Sequence, residues 1–71
     1  MEGIFELREY KDLHSELNAY DNATRFKFFD IAKLAFFEVA RNDQDIQKLI
    51  LIEYQVDKDV IWYTFERNNL K

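Results

Sequence analysis

Phe26-Lys27-Phe28-Phe29-Asp30-Ile31-Ala32-Lys33-Leu34-Ala35-Phe36-Phe37-Glu38-Val39-Ala40 is the stretch on which the reading of this chain turns. We placed it on a helical wheel at about 100° per residue, with Ala32 at the centre. Phe28, Phe29, Ala32, Ala35, Phe36 and Val39 then fall in one broad stripe. Phe26, Leu34 and Phe37 fall on the far side, among Lys27, Asp30, Glu38 and Arg41. A soluble helix that covers one core is polar there. These three apolar residues therefore predict a helix packed on two sides, or a contact surface for another chain.

Working outward, the stretch reads as a helix over residues 23–41. Asp21, Asn22 and Thr24 are its N-cap candidates, and Asn42 is suited to the left-handed conformation that ends a helix. With no proline and one glycine, Asn and Asp must punctuate the chain. Clusters at 18–22, 42–45 and 57–59 divide it into four pieces. Residues 3–9 alternate, with Phe5 and Leu7 on one side and Glu6 and Arg8 on the other, which favours a short N-terminal strand, although Ile4, Leu7 and Tyr10 at three-residue spacing also fit a helix. Residues 10–20 set Tyr10, Leu13, Leu17 and Tyr20 on one face and predict a short amphipathic helix.

Residues 48–56 and 60–67 are rich in β-branched and aromatic side chains and predict an antiparallel hairpin. A loop of even length places Ile50, Ile52, Tyr54 and Val56 on one face with Ile61, Tyr63 and Phe65. The other face then carries Leu49, Leu51, Glu53, Gln55, Val60, Trp62 and Thr64, with the tryptophan exposed unless the helices straddle the hairpin or the tail at 68–71 folds over it. The expected fold is α+β: a short N-terminal strand, two helices at about 10–20 and 23–41, and a C-terminal antiparallel β-hairpin at about 48–56 and 60–67. The helices pack on one sheet face of a single small domain spanning residues 1–71.

Bulk properties narrow the function. The chain has 71 residues and no cysteine, which leaves neither disulfides nor cysteine-held zinc to stabilise a small domain. Aromatics make up 17% of it, enough to favour a packed core over disorder. Net charge is −4. Residues 22–42 carry four bases against two acids and are the one basic segment. Arg25, Lys27, Lys33 and Arg41 scatter around the wheel, whereas nucleic-acid binding needs them aligned. There is no apolar run long enough to span a membrane, and the N-terminus lacks the pattern of a secretory signal. A cytoplasmic protein is expected, and residues favoured by AT-rich codons suggest a bacterial or phage source.

Chemistry finds little footing in these residues. His14, the single histidine, has no local metal-ligand partner and sits at the edge of an apolar stripe. Asp43-Gln44-Asp45 and Asp57-Lys58-Asp59 lack the glycine and terminal glutamate of a calcium loop and read as turns. No phosphate-binding loop or nucleophile motif is present. The expectation is a non-enzymatic protein without cofactor or metal. It binds a protein partner by occlusion, as an accessory or inhibitory protein, and forms a homodimer. The candidate partner-binding residues are Phe26, Leu34, Phe37, Leu51, Val60 and Trp62. Two alternatives stand behind it: a nucleic-acid-binding regulator of winged-helix-like element order, and an acidic DNA mimic.

Overall fold

The computed structural model describes residues 2–67. Five elements follow in order: β1 (Glu2–Tyr10), β2 (Asn22–Phe28), α1 (Phe29–Asn42), β3 (Lys48–Tyr54) and β4 (Asp59–Glu66). The strands form one antiparallel sheet in the order β2-β1-β3-β4. The fold is α+β, with one helix among the described residues where two were expected. The tail at 68–71 lies outside the described residues.

The N-terminal strand is a central strand of the sheet. Phe5 and Leu7 point to the helix side and join Ala32, Phe36, Ile46, Leu49 and Leu51 in the main core. Glu6, Arg8 and Tyr10 point to the other side, where Tyr10 joins Ile50 and Ile52 in a second, smaller cluster. Although they are charged, Glu6 and Arg8 are only 4% and 8% exposed.

Their cover is the connection between β1 and β2, and this overturns the helix expected at 10–20. Tyr10 is the last residue of β1, not the first of a helix. Beyond it, side chains compete for the backbone groups a helix would use. Asp12 Oδ1 accepts the His14 N–H at 2.9 Å, and the Asp12 carbonyl accepts the Ser15 N–H at 3.1 Å. A second turn closes from Ala19 N–H to the Glu16 carbonyl at 2.9 Å. Side chains of the sheet take two more carbonyls: Lys48 Nζ donates to Ser15 at 2.6 Å, and Arg8 Nη1 donates to Leu17 at 3.2 Å. The Tyr10 hydroxyl also donates to the Leu17 carbonyl. Residues 11–21 thus form a strap across the face opposite α1.

Residues 22–28 are a strand rather than the first turns of the helix. Thr24 and Phe26 lie opposite Leu7 and Phe5, while Arg25 lies opposite Glu6, so both faces gain matched cross-strand pairs. The helix begins at Phe29, with Phe28 as an N-cap that makes no side-chain cap bond. Asp21, an expected cap, instead closes the strap: its Oδ2 accepts the Lys11 N–H at 2.7 Å. No residue takes a positive φ among the described residues, so Asn42 does not end the helix in a left-handed turn. Arg67 does the capping, donating from its guanidinium to the carbonyls of Ala40, Asp43 and Ile46 at 3.2, 3.0 and 3.0 Å.

The hairpin keeps the even loop that was expected, residues 55–58 between β3 and β4. Its faces nevertheless change along its length. Ile52 lies opposite Ile61, but Leu51 lies opposite Tyr63, so a bulge inserts Trp62 between them. Past the bulge Tyr63 and Phe65 change sides and meet Leu51 and Leu49, while Ile50 faces Thr64. The helix packs on the face that Leu49 and Leu51 share with Phe5 and Leu7 of β1, which was expected to be the mixed one. Val56 lies outside the strands in the loop.

Candidate protein-binding surface

Once the core is closed, large apolar side chains remain outside along α1 and β4. Ile31, Leu34 and Phe37 follow one another at three-residue spacing, which makes a ridge on a helix. They are 53%, 65% and 45% exposed. Phe37 packs edge-on to Tyr63 with ring centroids 5.5 Å apart. Tyr63 stacks on Phe29 at 6.3 Å, and Phe29 meets Trp62 at 5.1 Å. Three ring contacts thereby link Phe37 on the helix to Trp62 on β4.

Trp62 is held in a defined pose. Its Nε1 donates to Glu53 Oε1 at 2.9 Å, and Phe29 supports its ring, yet 42% of the residue stays exposed. The bulge explains this. It places Trp62 on the helix side at the margin of the sheet, next to Tyr63 rather than opposite it. Val60, half-buried, lies opposite Glu53 on the same stretch of β4.

The six expected residues divide. Leu34 and Phe37 lie on the ridge of α1 and Val60 and Trp62 on β4, with Phe37 linked to β4 through Tyr63. Phe26 is on β2, at the far edge of the sheet, half-buried against the core. Leu51 is 0% exposed beneath the helix and cannot meet a partner of the folded chain. Ile31 replaces Phe26 in the ridge; it lies three residues before Leu34, and that spacing was available in the sequence.

A second constellation, on the opposite face, went unread in the sequence. Glu6 Oε1 accepts the Tyr54 hydroxyl and, at 3.2 Å, the Arg8 Nε; Arg25 Nε lies 3.7 Å from Glu6 Oε2. Arg8 Nη2 donates to the Tyr54 hydroxyl at 2.9 Å and Nη1 to Asn18 Oδ1 at 3.2 Å. The Arg8 guanidinium also lies over the Tyr20 ring, 4.9 Å from its centroid. Burial alone would raise the Glu6 carboxyl, but the Tyr54 hydroxyl and the Arg8 and Arg25 charges outweigh it and hold the group below its ordinary value. Burial lowers the Arg8 guanidinium, and the Tyr54 hydroxyl and Glu6 more than reverse this, so it is held more firmly protonated than usual. Burial pushes up the hydroxyls of Tyr10 and Tyr54, with the Glu6 carboxylate adding to the shift at Tyr54. Every buried polar side-chain atom among the described residues has a partner. This network fastens the strap to the sheet, and its groups are drawn away from the neutral range where acid–base chemistry works.

His14 is exposed on the strap. Asp43 forms the turn expected of it, its Oδ1 accepting the Asp45 N–H at 3.1 Å. No helix among the described residues is long and apolar enough to cross a membrane. Comparison with protein-family models, with curated proteins and with solved structures finds no match.

Proposed function

We propose that this chain is a small non-catalytic protein-binding module that acts by occlusion in the cytoplasm. Val60 and Trp62 on β4 dock against a target protein, and the ridge on α1 serves self-association. The observation that carries the reading is the residue of apolar surface outside a completed core: Ile31, Leu34, Phe37 and Trp62 are exposed, although ten hydrophobic residues are already buried. Scattered exposed apolar side chains are ordinary on a small protein. A joined aromatic and aliphatic surface on two elements is the kind that marks an interface. Tryptophan held by one hydrogen bond and one ring contact loses little freedom on docking, which suits it as an anchor. The winged-helix analogy loses its basis, because it rests on two helices preceding the hairpin and the strap occupies the place of the first.

Affinity capture from lysate of the source cells tests the reading, with wild type, Trp62→Ala and Val56→Ala as baits. Val56 is exposed in the hairpin loop and controls for loss of any surface apolar group. A protein retained by wild type and Val56→Ala but lost from Trp62→Ala is the expected result. Equal capture by all three baits would remove β4 from the interface.

A further inference from the structure

We propose that α1 pairs antiparallel with α1 of a second copy across a twofold axis, with Asp30 of each chain meeting Arg41 of the other and Leu34 meeting Phe37. The inference rests on the self-association reading above and specifies its geometry. At about 100° per residue, Asp30, Leu34, Phe37 and Arg41 lie within roughly 60° of one another around the helix. Their spacing of four, three and four residues is that of a narrow packing seam. The seam lies opposite the core-facing residues Ala32, Phe36 and Val39. All four seam residues are exposed, and among the described residues no ion pair engages Asp30 or Arg41 within the chain.

The charges decide the direction of pairing. An acid in the first turn and a base in the last suit the helix dipole. The dipole accounts for the sign at each end, but not for both charges falling on one line with the apolar pair between them. In a twofold antiparallel pair each contact occurs twice, so both ends close with opposite charges and the centre with four apolar side chains. A parallel pair would set Asp30 against Asp30 and Arg41 against Arg41. The edge strand β4 is the rival route to a dimer, but antiparallel pairing of β4 with itself from end to end sets Asp59 against Glu66. A helix of 14 residues buries less than the roughly 800 Å² per partner of a standard interface, so the dimer is expected to be weak, on the order of micromolar.

Sedimentation equilibrium from about 5 to 500 µM, the range a weak interface requires, tests the pairing. The proteins are wild type, Asp30→Arg, Arg41→Asp, the double variant, and an equimolar mixture of the two single variants. The expected result is a wild-type dimer, dissociation constants raised about tenfold or more in each single variant, and recovery in both the double variant and the mixture. Recovery in the mixture requires both single variants to be folded, so a folding defect cannot imitate it. A wild type that stays monomeric throughout, or single variants that dimerise like wild type, as strand pairing or a parallel seam would give, overturns the proposal. Trp62→Ala is expected to dimerise normally, so loss of target capture by an intact dimer separates the two readings.

Discussion

Arg8 shows how much one side chain can settle. Each nitrogen of its guanidinium has an acceptor, and the acceptors belong to β1, β3 and the strap. Removing it leaves the buried Glu6 carboxylate with the Tyr54 hydroxyl and the more distant, exposed Arg25. Arg8→Met is therefore expected to cost about 3 kcal/mol, the usual scale for breaking a buried pair on one side only. Adding Glu6→Gln should recover part of that loss, and urea unfolding of the single and double variants measures both. The leucines make a sharper contrast. Leu51, wholly enclosed, should cost about 2–5 kcal/mol as alanine, whereas Leu34, mostly exposed, should change the monomer by no more than about 0.5 kcal/mol. Both are leucines in apolar runs, and the sequence supported both as contact residues. What separates them is the position of α1: Leu51, opposite Leu7 in the central strands, lies beneath the helix in the core, whereas Leu34 is on the side of the helix away from it.

At the level of elements, the patterns most visible in the sequence were the ones closest to a single period. The alternation at 3–9 and the aromatic, β-branched run of the hairpin both became strands. Residues 22–28 depart from the helix their spacing predicts because β2 passes into α1 with no intervening loop: Phe28 is extended and Phe29 is helical. Neither glycine nor proline marks such a joint, and the helical spacing of the phenylalanines continues backward across it. Residues 10–20 depart from the expected helix for another reason. Tyr10, Leu13, Leu17 and Tyr20 are spaced as on a helix, but the donors that satisfy this backbone are Arg8, Tyr10 and Lys48, two of them on β1 and one on β3. A long-range polar network of this kind leaves no local period. The strap makes a prediction of its own. Its backbone is held by side-chain donors and single turns, so Ser15 and Ala19 amides should exchange with solvent orders of magnitude faster than those of Leu7 and Leu51 in the central strands. Tyr10→Phe, which deletes one tether, should speed strap exchange further and leave the central strands nearly unchanged. Native-state hydrogen exchange followed by NMR reads both effects.

For the molecule as a whole, the two faces of the sheet impose different dependences on pH. The helix side is apolar and aromatic and contains no buried charged group among the described residues, so its stability should be level across a wide range. The strap side contains Glu6, Tyr10 and Tyr54. Glu6 titrates lower in the folded chain than its ordinary value of 4.5. The unfolded chain therefore takes up a proton first as pH falls. The contribution of Glu6 is complete above 4.5 and is lost as pH drops through the folded value. Tyr54 titrates above its ordinary value of 10.0, so the unfolded chain gives up its proton first. That contribution is complete below 10.0 and fades as pH rises through the folded value. Tyr10 adds to the alkaline limb in the same direction. Urea midpoints plotted against pH should trace a plateau with one acid and one alkaline shoulder. Glu6→Gln should flatten the acid shoulder and lower the plateau, since a neutral amide beside Arg8 leaves that charge underpaired. Tyr54→Phe should soften the alkaline shoulder and also return Glu6 toward its ordinary value, moving the acid shoulder to higher pH. An acid shoulder unmoved by Tyr54→Phe would show that Arg8 and Arg25 hold Glu6 ionised without it, and that the tyrosine lies in the network as a passive neighbour.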